Sequence, residues 1–541
     1  MRRSNPRLFL ALSVVALIVT VAHGQVPQGG RAAGPPAGGR GGGPALPPLM
    51  QTPPKPAIPN AKAVRSCESL ASVMLPNTTI ESAAVDPNNS AVCRVTAITT
   101  HPPAPDKIRI WVAIPTANWN GRFVGTGGGG LVGGNAAGVN QPVAQGFAAG
   151  ATDGGHEGGS GTFAIDANGR LNWEAVRNFA HVGIHEMTVT GKALTQAMYG
   201  VAPKYSYFNG CSTGGRQGLM EAQRYPQDYN GIMSAAPAIN WNRFHLQHLW
   251  GPVVMNAAGN AVAACKLTAA TAAAIAACDG IDGVKDGVIE DPKRCTYDPK
   301  PLVGTSAGDC GAFTEGDVNV IRKLWEGPRR ADGSFMWYGL ARGADMNALW
   351  TSRGTPLRPV PFGLAMDWYR YFLTQDPKFD ANTVTPAGYE RLWDQSVEQY
   401  ANVIATDNPD LTGFRDRGGK LIVWHGWADQ LITAEGSIDY YTRVQQEMGG
   451  PKKTAEFVRL FMAPGVTHCA GGAGPQPTGL MEALLAWVED SKAPETLPAT
   501  RRDQAGTVTR SRPLCAYPLV AKYKGSGSTD EAVNFTCSAG F

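Results

Sequence analysis

Tyr205-Ser206-Tyr207-Phe208-Asn209-Gly210-Cys211-Ser212-Thr213-Gly214-Gly215-Arg216-Gln217-Gly218 runs from an apolar stretch, through a glycine-flanked serine, into residues with helical spacing. A serine hydroxyl is a weak nucleophile at neutral pH, so an enzyme that uses one must expose it sharply and set a base beside it. The Gly210-x-Ser212-x-Gly214 pattern suits the first task. Its glycines let a strained strand-to-helix turn close and let the helix pack tightly behind it. In a chain with 66 glycines the five-residue pattern means little by itself. Its position between a strand and a helix that begins near Gly215 is what gives it weight.

Outward from this turn, short apolar runs alternate with helical patterns. Ile108 to Ile114 alternates like a half-buried strand, while Tyr205 to Asn209, Gly231 to Ala235 and Leu421 to Trp424 read as more buried strands. Apolar residues recur at three and four over Glu186 to Met198, Gly215 to Arg224, Thr433 to Gln446 and Thr478 to Trp487. The alternation predicts an α/β fold with a mostly parallel sheet covered by helices. Residues 240–408, rich in Asp-Gly turns, aromatics and cysteines, interrupt the series and are expected to form an inserted lid, leaving 60–239 and 409–541 as the core.

A serine nucleophile on such a fold expects an acid and then a base, each on a loop after a later strand. Leu421 to Trp424 leads into His425-Gly426-Trp427-Ala428-Asp429, and Val458 to Met462 leads into Ala463-Pro464-Gly465-Val466-Thr467-His468. Asp429 and His468 therefore take those places, with His425 and His156 as less well placed bases. Singly, Asp429 reads as a helix cap and His468 as a core histidine; in this order, on successive strand ends, they read as catalytic. Charge developing on a carbonyl oxygen needs donors. The Thr213 amide, next to the nucleophile, is the first candidate, and Gly128, within Gly127 to Gly130 after Phe123-Val124, is the second.

The ten cysteines are Cys67, Cys93, Cys211, Cys265, Cys278, Cys295, Cys310, Cys469, Cys515 and Cys537. None forms the Cys-x-x-Cys pairs of a zinc site, so disulfides are expected. Cys211 precedes the proposed nucleophile and Cys469 follows the proposed base. A triad would bring those two cysteines near bridging range, and neither has another cysteine close in sequence. Cys278 pairs naturally with Cys295, Cys67 with Cys93 and Cys515 with Cys537, leaving Cys265 with Cys310.

Export fits the N-terminus. Arg2, Arg3 and Arg7 precede the apolar run Leu8 to Val21, which ends in Ala22-His23-Gly24-Gln25. The run is shorter than the roughly 20 residues of a membrane span, so 1–24 reads as a cleavable signal peptide and the mature protein as secreted or periplasmic. Residues 25–59, dominated by Gly, Pro and Ala, read as a flexible leader. Without the three signal arginines, 45 basic side chains face 44 acidic ones, which gives no basic face for nucleic acid or a membrane surface. No later stretch reads as a span.

Gly210-Cys-Ser-Thr-Gly-Gly-Arg-Gln-Gly218, with Asp429 and the His468-Cys469 pair, resembles the tannase and feruloyl esterase family over roughly Cys67 to Phe541. The resemblance implies an α/β-hydrolase core with a mostly parallel sheet and an inserted lid domain. It also implies a bridge joining the Cys-Ser and His-Cys pairs. It further implies a serine carboxylic ester hydrolase that cleaves esters of aromatic acids, feruloyl or galloyl, through Ser212, His468, Asp429 and an acyl-enzyme. Terephthalate monoesters or another aryl ester are the runner-up substrates. A serine peptidase, or a non-catalytic exported binding protein on a hydrolase fold, are rivals of other kinds.

The segment from Cys278 to Pro292 concentrates carboxylates among glycines. Asp279, Asp282 and Asp286 with backbone carbonyls could supply the six to eight oxygens calcium takes, although plain Asp-Gly turns look alike and the spacing is not that of an EF-hand. The resemblance implies a structural Ca2+ in the lid, held by these aspartates and the carbonyls of Val284 and Val288, and no organic cofactor. Trp350, Arg353, Pro361, Phe362, Trp368 and Tyr371 form an aromatic-rich stretch that reads either as a stacking surface for an aromatic acyl group or, for most of them, as lid core.

Overall fold

The computed structural model describes residues 49–540. The expected signal peptide, and the leader up to residue 48, lie outside them. The central sheet has nine strands: β1 (Thr78–Asp86), β2 (Asn89–Thr99), β3 (Ile108–Pro115), β4 (Arg122–Thr126), β5 (Ala148–Thr152), β6 (Tyr205–Cys211), β7 (Gly231–Ala235), β8 (Lys420–Gly426) and β9 (Val458–Ala463). Their spatial order is β1-β2-β3-β5-β4-β6-β7-β8-β9. From β5 to β9 every neighbouring pair is parallel, and β3, β2 and β1 continue the sheet antiparallel. This is an α/β-hydrolase fold.

Parallel strands are covered on both faces, which explains why β7 and β9 are buried along their whole length. Helices α1 (Gly183–Tyr199) and α2 (Thr213–Arg224) supply much of that cover in the N-terminal half, and α7 (Ala434–Glu447) and α8 (Leu480–Asp490) in the C-terminal half. β5, sequence AAGAT, has no apolar pattern to reveal it, because packing here demands small residues. A side chain at Gly150 would meet the Met187 sulfur at 2.4 Å.

Residues 240–408 contribute no strand to the central sheet. They carry α3 (Trp241–Ala258), α4 (Ala264–Cys278), α5 (Glu315–Glu326) and α6 (Pro386–Tyr400), gathered around two apolar clusters. One cluster centres on Trp241, Trp368 and Tyr369, the other on Ile321, Leu324 and Trp350. The segment Ala264–Asp282, which includes α4, has the length and hydropathy of a membrane span, which corrects the expectation that no later stretch is apolar enough for one. Its alanines account for the hydropathy. Lys266 near its start pairs with Asp317, and disulfides leave it at Cys265 and Cys278.

The leader reading extends too far. Residues 49–59 lie on the folded unit: Met50 and the Gln145 side chain exchange two hydrogen bonds (3.1 and 2.7 Å), Arg122 donates to the Lys55 carbonyl, and Ala57 donates to Asn120. Met50 is buried among residues of β6 and α8. The apolar side chains of Leu49, Met50 and Ile58, together with these polar anchors, hold a strap whose composition looks unstructured.

All ten cysteines are paired, in the five pairs set out above: Cys67–Cys93, Cys211–Cys469, Cys265–Cys310, Cys278–Cys295 and Cys515–Cys537.

Candidate active site

Ser212 sits between β6 and α2 with φ 62° and ψ −121°, a conformation that costs a non-glycine residue strain. The surroundings over-determine it. Its N–H donates to the Ala235 carbonyl, and its own carbonyl accepts from Arg216 and Ala238, each at 3.0 Å. Gly210 is required by close approach: a Cβ there would lie 2.5 Å from the Gly214 carbonyl carbon and oxygen. Among the described residues Ser212 Oγ makes no hydrogen bond.

Asp429 follows β8 and its side chain is fully buried. Its Oδ1 accepts the N–H groups of Leu431 (2.8 Å) and Ile432 (2.9 Å), and its Oδ2 accepts from His468 Nδ1 (2.8 Å). Burial alone would raise the carboxyl pKa. The His468 charge, with the donors of His425 and His468, outweighs burial and holds the group well below the usual carboxylate range. His468 sits on the loop after β9, with its backbone N–H on Gln430 Oε1 (3.0 Å). With Nδ1 donating to Asp429, the other ring nitrogen is the one left to act as a base. The Cys211–Cys469 bridge, Cα to Cα 5.9 Å, ties the residue before Ser212 to the residue after His468.

The glycine run lies against α2, and the two are clamped by reciprocal hydrogen bonds. Gly214 N–H donates to Gly128 O (3.0 Å), and Thr213 Oγ1 donates to Gly130 O (2.6 Å). Gln217 Oε1 accepts the Gly128 N–H (2.9 Å) while its Nε2 donates to Gly133 O (2.9 Å). A Cβ at Gly127 would lie 2.4 Å from the Gly214 Cα, so only glycines allow this approach. This arrangement corrects the choice of Gly128 as an oxyanion donor, because its amide is committed to Gln217. Gly129 pairs with Val132 in an isolated antiparallel bridge, whereas the amide of Thr213, at the first turn of α2, has no partner among the described residues.

The other bases considered are placed elsewhere. His156 gives Nε2 to the Leu131 carbonyl and stacks on Phe163. His425 is fully buried, with Nε2 3.0 Å from Asp429 Oδ2. The sequence reading missed this contact, and it missed Gln217 and Gln430; the only local signal was the four-residue spacing of His425 and Asp429.

Of the aromatic stretch, Trp350 and Trp368 are core, their indole N–H groups satisfied by the His248 carbonyl and Ser396 Oγ. Arg353 is exposed, and Pro361 and Tyr371 are half-buried. Phe362 lies edge-on to the His248 ring at 5.2 Å, and Leu364 lies 3.3 Å from where a Cβ of Gly130 would stand, so this segment reaches the glycine loop.

The acidic loop winds around Asp279, whose Oδ1 accepts the N–H groups of Asp286, Gly287 and Val288 (3.0 to 3.2 Å). Burial, reinforced by the neighbouring Asp286 and Asp279 carboxylates, raises Asp282 to about 6, and burial with Asp282 raises Glu290 to about 8. The carbonyls of Val284 and Val288 accept no hydrogen bond among the described residues. Crowded, partly buried carboxylates beside free carbonyls suit a hard divalent cation. Asp286 is partly neutralised already, with Oδ2 on Arg512 (2.8 Å) and Arg510 (3.2 Å).

Residues 93–538 match the family described as tannase and feruloyl esterase. A probable feruloyl esterase of Arthroderma benhamiae is 39% identical over 482 residues, covering 86% of this chain and 87% of its own. The crystal structure of feruloyl esterase B from Aspergillus oryzae superposes with a TM-score of 0.76 at 28% identity, covering 87% of this chain and 99% of that one. Tannin acyl hydrolase from Aspergillus niger gives a TM-score of 0.79 at 26% identity, covering 87% and 94%.

Proposed function

The chain belongs to the tannase and feruloyl esterase family and is a carboxylic ester hydrolase, and from that premise we propose that it is an exported serine esterase cleaving feruloyl- or galloyl-type esters of aromatic acids. His468 takes the Ser212 proton as Ser212 Oγ attacks the ester carbonyl, and Asp429 orients His468 and balances its charge. The Thr213 amide, at the start of α2, receives the oxyanion. His468 then protonates the leaving alcohol, and water, activated by the same histidine, releases the acid from Ser212. The observation that carries this reading is the 2.8 Å Asp429–His468 contact, braced through Cys469 to the residue next to Ser212.

Export is supported by ten cysteines paired in five disulfides, a pattern of oxidising compartments. The test of substrate class is a panel of feruloyl, galloyl and terephthalate monoesters alongside the matching amides. The proposal predicts higher kcat/KM on a feruloyl or galloyl ester than on terephthalate, and little on amides. Amide turnover exceeding ester turnover would instead identify a peptidase.

We also propose that the 279–288 loop holds a structural Ca2+ through the carboxylates of Asp279, Asp282 and Asp286 and the carbonyls of Val284 and Val288. The cation would neutralise repulsion there and take no part in hydrolysis. Stripping with a chelator is expected to lower the thermal midpoint by several degrees, corresponding to roughly 2–4 kcal/mol of binding linkage, with recovery on adding Ca2+. A midpoint indifferent to chelator and calcium would refute the site.

A further inference from the structure

Asp429 serves one more imidazole than a catalytic triad needs. His425, on β8, brings Nε2 to 3.0 Å from Asp429 Oδ2 and 3.2 Å from the Ile432 carbonyl oxygen, while its Nδ1 lies 2.8 Å from Ser437 Oγ. The histidine and aspartate side chains are both fully buried. Neither acceptor at Nε2 can donate, so Nε2 carries the hydrogen; the partner at Nδ1 is a hydroxyl, which can donate. Asp429 and the Ile432 carbonyl thus select the tautomer, and the Ser437 hydroxyl accommodates it by donating to Nδ1. The same Oδ2 meets His468 Nδ1 at 2.8 Å, and Oδ1 is held by two backbone amides.

We propose that His425 is a positioning residue for the ester hydrolysis: it holds the Asp429 carboxylate ionised and oriented toward His468. This rests on the reading of Ser212, His468 and Asp429 as the triad. His425 touches no reacting atom. Its donor opposes the burial that would otherwise push Asp429 toward the neutral form, in which it could not balance the cation forming on His468. Its second bond, to Ile432, fixes the turn that supplies both amides on Oδ1, so one ring sets the carboxylate from two sides. Ser437 on α7 completes a buried chain from Ser437 through His425 and Asp429 to His468.

A double-mutant cycle separates this role from core packing. His425→Phe keeps an aromatic side chain of somewhat larger size and removes both nitrogens; it is expected to lower kcat about 10- to 100-fold while KM stays within about twofold, as for loss of an interaction made only in the transition state. His425→Gln, whose amide can donate to Asp429 and accept from Ser437, should recover most of that loss. In an Asp429→Asn background the cost of His425→Phe should shrink to less than about threefold, because the group it acts through is already gone. A cost undiminished in that background, or unchanged kcat in His425→Phe, overturns the proposal while leaving the triad standing. Full activity in Asp429→Asn alone overturns the triad reading and this inference with it. If His425→Phe does not fold, Ser437→Ala, which deletes one oxygen, replaces it in the same cycle, with a several-fold kcat loss expected and the same outcomes deciding.

Discussion

Replacing Ser212 with alanine is expected to lower kcat on a feruloyl ester about 10^6-fold, leaving the residual rate that oxyanion donors and substrate positioning supply without a nucleophile. Affinity for the substrate or its product acid should stay near that of the wild type, because among the described residues the hydroxyl makes no hydrogen bond that its removal would break. Steady-state hydrolysis with a binding measurement on the inactive variant reads both quantities. A loss below about 100-fold would mean that another group attacks the ester.

Opening the Cys211–Cys469 bridge has the second largest expected effect, and it acts on geometry and stability together. The bridge closes a separation of 258 residues, so by the chain-entropy account its loss removes on the order of 5 kcal/mol. It also frees the His468 loop from the Ser212 turn. A misplacement of about 1 Å between base and nucleophile can cost about 100-fold, so Cys211→Ser with Cys469→Ser should lose at least that much kcat well below its own melting point. The control is the Cys67–Cys93 bridge, which joins the segment before β1 to β2. Its removal should lower the thermal midpoint and leave kcat within about twofold, since additivity holds for sites without shared partners. Equal kcat losses in the two double variants would show that the first bridge matters for folding alone.

What could be read from the sequence was what is local in the chain. The Ser212 turn is a strand, five residues and a helix in succession, and Asp429 and His468 each follow directly on a buried apolar run. The cysteines next to Ser212 and His468 extended that local reading to a contact between loops. Where a function depends on which distant side chain occupies a backbone group, the sequence is silent. Gly127 to Gly130 are indistinguishable as letters, and it is Gln217, 89 residues from Gly128, that takes up the Gly128 amide. His425 looked like a poor alternative base because its partners, Ser437 and the Ile432 carbonyl, converge only once α7 packs on β8. β5 was invisible because its residues must be small to fit beneath Met187. The strap at 49–59 was misjudged because Gly and Pro composition does not register how Leu49, Met50 and Ile58 pack.

The central claim is that Ser212 is activated, and covalent labelling with a fluorophosphonate tests it most directly. Intact mass and peptide mapping should show one adduct per chain, on the peptide that contains Ser212, and no adduct in Ser212→Ala. An unlabelled wild type that still hydrolyses esters, or a Ser212→Ala protein that labels as fast as the wild type, would contradict the account.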